Sequence, residues 1–73
     1  MAELKRGIYK HYKGNLYEAL MIARHSETEE EMVVYRALYG DQSLWVRPYS
    51  MWVETVTVEG VPVPRFKYIE KAP

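Results

Sequence analysis

The sequence predicts a mostly β chain, folded as a small SH3-like antiparallel β-barrel with a short 3₁₀ turn. Two observations carry the prediction. Seven tyrosines, two tryptophans and one phenylalanine are spread among valines and threonines, a mixture that suits a pleated, half-buried surface better than a helix. Turn signals then recur at short intervals: Lys13-Gly14-Asn15, Gly40-Asp41-Gln42-Ser43, and Gly60 followed by Pro62 and Pro64. Short strands at that spacing curl readily into a barrel, which leaves no long exposed edge.

About six strands are expected. The first runs from Gly7 to Tyr12 and stops at Gly14 and Asn15, which tolerate the positive φ of a tight turn. The second, Leu16 to His25, follows at once. Leu16, Ala19, Leu20 and Ala23 also fall at helical spacing, so an amphipathic helix over residues 16 to 25 is the alternative. Ser26-Glu27-Thr28-Glu29 carries the Ser-x-x-Glu pattern of a capping box and can form one helical or 3₁₀ turn. Met32 to Tyr39 is apolar on nearly both faces, as expected of a central strand covered on both sides. Leu44 to Arg47 is a short strand ended by Pro48, and Tyr49-Ser50-Met51-Trp52 makes a 3₁₀ turn that plugs one barrel end. Val53 to Glu59 alternates until Gly60, Pro62 and Pro64 break the pattern, and Arg65 to Ile69 closes the sheet.

The chain of 73 residues is read as a single domain over 1–73, near the lower limit for an independent core: about 60 residues bury only roughly 60% of the unfolded surface. Ten basic side chains balance ten acidic ones, so no global field favours nucleic acid or an anionic membrane. Locally the field has two signs. Lys5, Arg6, Lys10 and Lys13 outnumber Glu3 at the start, whereas Glu27, Glu29, Glu30 and Glu31 crowd together. The absence of cysteine removes disulfides, thiolate zinc sites and thiol nucleophiles. No apolar signal core opens the sequence and no run is long enough to span a bilayer, so the expected compartment is the cytoplasm, without membrane association.

Several separate stretches together resemble a known family: His11-Tyr12-Lys13-Gly14, Ala23-Arg24-His25-Ser26-Glu27-Thr28, Val33 through Gly40, Trp45-Val46-Arg47-Pro48, and Pro64-Arg65-Phe66. The chain is similar, over nearly its whole length, to the bacterial domain of unknown function family 1653. That resemblance implies a stand-alone bacterial cytoplasmic domain with a small β-barrel fold. It supplies no reaction, cofactor or catalytic residue. Two positions depart from the family pattern: Trp52, where phenylalanine is more usual, and Met21, where glycine is expected.

The most chemically loaded stretch is Arg24-His25-Ser26-Glu27-Thr28, where a guanidinium, an imidazole and two hydroxyls at a strand end can hold a phosphate or carboxylate. The plainer account makes Ser26 a turn cap and pairs Arg24 or His25 with the glutamates. A Ser26–His25 dyad fails because neighbours in a strand point to opposite faces. Two histidines, His11 and His25, fall short of a metal centre, and no cofactor is expected. Tyr35, Arg36, Tyr39, Trp45 and Arg47 interleave rings with guanidiniums, a pairing that also serves nucleic acid, although a small core needs most of its aromatics. Glu54 shares a face with Val56 and Val58 and requires a partner, Arg47 or Arg65.

The leading expectation is a non-enzymatic binding module for a peptide or small anionic ligand. Its groove is expected to be lined by Tyr35, Arg36, Trp45 and Arg47, with Arg24, His25, Ser26 and Thr28 at the rim. The alternatives are an RNA or single-strand nucleic-acid binder using the basic first segment, and an assembly protein in which an edge strand pairs with a second copy or a larger partner.

Overall fold

The computed structural model describes residues 2–73. The elements are β1 (Gly7–His11), β2 (Leu16–Arg24), β3 (Glu31–Ala37), β4 (Leu44–Pro48), α1 (Tyr49–Trp52), β5 (Thr55–Val58), β6 (Val61–Pro64) and β7 (Phe66–Glu70). Strands β1 to β4 run as an antiparallel meander, and β7 returns to pair with β1, giving a five-stranded sheet in the order β4-β3-β2-β1-β7. The stretch 16–25 is thus strand β2 up to Arg24, not a helix: its backbone is held between β1 and β3.

The expected closed barrel does not form. Chain that would have closed the sheet onto β4 goes instead into the single turn of α1 and a separate hairpin, β5–β6. β7 lands beside β1, so β4 stays an edge. The turn itself is α rather than 3₁₀, since the Val53 N–H donates to the Tyr49 carbonyl at 3.1 Å. β6 forms in spite of its two prolines. In a two-stranded hairpin each strand has a free side on which a missing N–H costs no ladder bond. Glu59 and Gly60, both at positive φ (51° and 80°), make the tight turn that such a hairpin favours.

Pairing register sorts the side chains. Tyr9, Ala19, Val33, Tyr35, Ala37 and Phe66 are buried, with Trp52 of α1 laid over them. Trp52 stacks flat on Phe66, with centroids 3.9 Å apart and planes within 5°. Tyr9 and Tyr35 meet the same indole at 5.3 and 5.0 Å. Each such pair adds about 0.5–1.5 kcal/mol beyond area burial. A bulge between Ala19 and Met21 increases the local twist and still brings Ile22 opposite Val33.

The inner face is finished by residues 2–6. Leu4 packs on the core, the Tyr9 hydroxyl donates to the Lys5 carbonyl at 2.6 Å, and the Tyr49 hydroxyl donates to that of Glu3 at 3.0 Å. The Ala2 N–H reaches Glu31 Oε2 at 2.9 Å. Gly7, where this segment enters the sheet, has φ 145°, and a Cβ there would lie 2.5 Å from the Glu70 carbonyl oxygen. Only glycine fits that approach of β1 to β7.

The outer face lacks such a cover. Met21, Val34 and Val46 align across β2, β3 and β4, and Met21, Leu44 and Val46 are each more than half exposed. β3 is therefore flanked by β2 and β4, one strand in from the edge rather than at the centre, and is covered on one side only. Among the described residues, no helix is long and apolar enough to cross a membrane.

Candidate functional site

The chemistry gathers at the end of the sheet where β4, α1 and the start of β7 meet. Arg47 stands on the inner face of β4, opposite Val33, and carries its guanidinium carbon 5.4 Å from the centre of the Phe66 ring. Arg65 joins β6 to β7. Its N–H donates to the Glu54 carbonyl at 2.9 Å, and its own carbonyl accepts from the Tyr12 N–H at 3.0 Å, which fixes the residue between hairpin and sheet. Its Nη2 donates to Glu54 Oε1 at 3.1 Å. Glu54 thus pairs with Arg65 rather than Arg47, in a contact exposed enough to be worth at most about 1 kcal/mol.

Arg47 Nε, Arg65 Nε and Trp52 Nε1 are all buried, and none has an acceptor among the described residues. A buried N–H left unmatched costs about 1–3 kcal/mol. Proteins retain few such groups, and those kept call for an explanation.

His11 lies against this cluster, its ring 4.9 Å from that of Phe66 and 4.5 Å from that of Tyr12. Its Nδ1 accepts the Lys13 N–H at 3.2 Å, which in the neutral ring leaves the proton on Nε2. Burial pushes the imidazole pKa below its ordinary value, and the charges of Arg47, Arg65 and Lys13 push it further the same way. The place is rich in donors and poor in acceptors. On its other side, His11 and Tyr12 line a surface hollow of about 370 Å³ with Val58, Val63 and Pro64. Lys10 and Lys67, directly opposite each other on β1 and β7, stand at its rim.

The residues singled out from sequence are dispersed by the fold. Tyr35 is core. Trp45 and Arg47 share the inner face with it, but Arg36 points to the other face beside Glu18 and Leu44, so the four do not line one groove. Tyr39 hydrogen-bonds the Tyr17 hydroxyl at 2.9 Å. Arg24 reaches Glu29 at 3.7 Å, both side chains well exposed. His25, not Ser26, caps the following turn: its Nδ1 accepts from the N–H groups of Glu27 and Thr28 at 3.1 and 3.3 Å. Thr28 Oγ1 accepts from the Glu30 N–H at 3.2 Å. Among the described residues, no three histidine, aspartate or glutamate side chains converge as a metal site would require.

Of the expected ligand residues only Arg47 belongs to the donor cluster. Arg65, Trp52 and His11 join it through the tertiary fold, and the one sequence signal for Arg65 was the need of Glu54 for a partner.

The family model described as "Protein of unknown function (DUF1653)" matches residues 7–68. A solved crystal structure of a DUF1653 protein from Bordetella bronchiseptica is 40% identical, covers 97% of this chain and 94% of that chain, and superposes with a TM-score of 0.87. No curated protein matches the sequence. The architecture and the family match agree, and the chain belongs to the DUF1653 family.

Proposed function

We propose that this domain is a non-enzymatic binding module whose ligand presents a small anionic group, a carboxylate or phosphate, to Arg47 and Arg65. One observation supports the reading above the rest: three buried N–H donors, two of them on guanidiniums, lack an acceptor among the described residues, with Arg47 over the Phe66 ring on which Trp52 stacks and Arg65 next to Phe66 in the chain. An anion accepts from all three kinds of donor and offsets charge that Glu54 balances only in part. Hydrogen bonds to a charged group contribute about 1.5–3 kcal/mol each.

The side-chain Nε–H signals of Arg47, Arg65 and Trp52 make the test direct. Titration with inorganic phosphate, and separately with acetate, followed by ¹H–¹⁵N NMR, is expected to shift these three signals together. Burial is the first cause of the lowered His11 pKa and the charges of Arg47, Arg65 and Lys13 add to it; a bound anion offsets the second contribution, so the pKa is expected to rise in the complex. Arg47→Met is expected to weaken binding about 10-fold or more. If both anions reach saturating concentrations with the three signals unmoved, the reading is wrong. If a mixed oligonucleotide shifts them while phosphate does not, the nucleic-acid alternative replaces it.

A further inference from the structure

β4 reads Leu-Trp-Val-Arg-Pro, apolar but for one cation, and it ends the sheet. Its hydrogen-bonding polarity follows from one contact. The Ala37 N–H donates to the Ser43 carbonyl at 3.1 Å, which makes Ala37 and Ser43 a hydrogen-bonded pair. Antiparallel pairs alternate. Trp45 and Arg47 therefore turn their backbone groups inward to Tyr35 and Val33, whereas Leu44, Val46 and Pro48 turn theirs to the open side. Pro48 fits this assignment, because its missing N–H falls where no β3 carbonyl waits.

Natural edges are commonly blunted by lysines, bulges or a covering loop. Here Leu44, Trp45 and Val46 are 56%, 56% and 60% exposed, and blunting is confined to the last two residues of the strand, the inward-facing Arg47 and Pro48.

We infer that β4 pairs with β4 of a second copy, antiparallel, across a twofold axis at Val46. That register is self-complementary. Val46 and the partner's Val46 exchange both backbone hydrogen bonds, and the Leu44 N–H reaches the carbonyl of the partner's Pro48. On the inner face Trp45 comes opposite the partner's Arg47, a cation–aromatic pair, and on the outer face Leu44 comes opposite the partner's Pro48. An axis at Arg47 would set two guanidiniums against each other, and an axis at Trp45 would leave Arg47 facing the partner's Ser43. The Met21–Val34–Val46 row then runs on into its equivalent, joining the two five-stranded sheets into one. The pairing rests first on the backbone of β4, and because the partner's Trp45 also faces Arg47, Val46→Pro rather than an Arg47 variant separates the loss of pairing from the loss of anion binding.

The chain has no cysteine, so Val46→Cys introduces a single thiol. A hydrogen-bonded antiparallel pair holds its Cα atoms about 5.5 Å apart, within disulfide range. Val46→Cys is expected to form a covalent dimer on mild oxidation far faster than Met21→Cys, an exposed position two strands from the edge. Wild-type protein is expected to sediment as a dimer that dissociates on dilution. Val46→Pro removes an outward N–H and spares the β3 ladder, so it is expected to be monomeric with an unchanged circular dichroism spectrum. A wild type that is monomeric at about 1 mM, or a dimer that survives Val46→Pro, would overturn the inference. So would equal cross-linking of the two thiol variants.

Discussion

At the scale of single residues, His11 carries the clearest pH dependence. Its folded pKa lies below the ordinary value of 6.5. Above about 6.5 the ring is neutral in both states and nothing is lost. As pH falls further, the unfolded chain takes up its proton first, so folding stability declines until the folded ring titrates as well. His11→Asn keeps an acceptor for the Lys13 N–H but cannot titrate. Its melting temperature is expected to fall less than that of wild type between about pH 7 and pH 5, and parallel curves would show that the ring is not held neutral by its neighbours. The sequence named Arg47 but not its companions, for a definite reason. Arg47, Trp52 and Arg65 belong to different elements, and only the docking of β7 beside β1 brings them together. The divergence of Tyr35 from Arg36, by contrast, was legible in the strict alternation of β3.

Among the elements, the strands most nearly as expected are those with dense turn chemistry at their ends. β2 and β4 begin just after the turns that Asn15 and Ser43 mark, β1 ends just before the Gly14-Asn15 turn, and each ends within one residue of its expected limit. β2 shows how context decides: Leu16, Ala19, Leu20 and Ala23 satisfy a helical spacing, yet two neighbouring strands claim the backbone. β6 was illegible because Pro62 and Pro64 argue against a ladder, and only a two-stranded hairpin with a free side tolerates both. The short α1 falls where the sequence predicts a 3₁₀ turn, but it covers the face of an open sheet rather than plugging a barrel end, and it does so through Trp52 with Tyr49 beside it, since Ser50 and Met51 are exposed. Trp52→Ala is expected to cost about 3–5 kcal/mol, a large part of the 5–15 kcal/mol typical of a whole domain. Trp52→Phe keeps a ring on Phe66 and is expected to retain most of the stability. Urea unfolding of the two variants would separate them, and an equal loss would mean that the stacked geometry rather than buried volume is what matters.

For the molecule as a whole, composition was enough for the mostly β class, but barrel closure was not written in it. Closure depends on where the last strand lands, and the sequence marks β7 as a strand without naming its neighbour. The result is one sheet with one finished face, and that face is sealed from outside the sheet. Residues 2–6 are anchored by Leu4 and by acceptors for two tyrosine hydroxyls, a light attachment compared with the ladder beneath. This gives the domain two layers of opening. The leading segment can lift while β1, β2 and β3 stay paired, and each lifting uncovers the aromatic cluster to water. Amide hydrogen exchange is expected to show residues 2–6 unprotected at conditions where Val33 and Tyr35 exchange only through global unfolding. Tyr49→Phe, which deletes one tether of the segment, is expected to speed tryptic cleavage after Lys5 and Arg6 without changing amide exchange in the sheet. A uniform exchange rate across segment and sheet would mean that the two open as one unit, and that the cover is as permanent as the strands it protects.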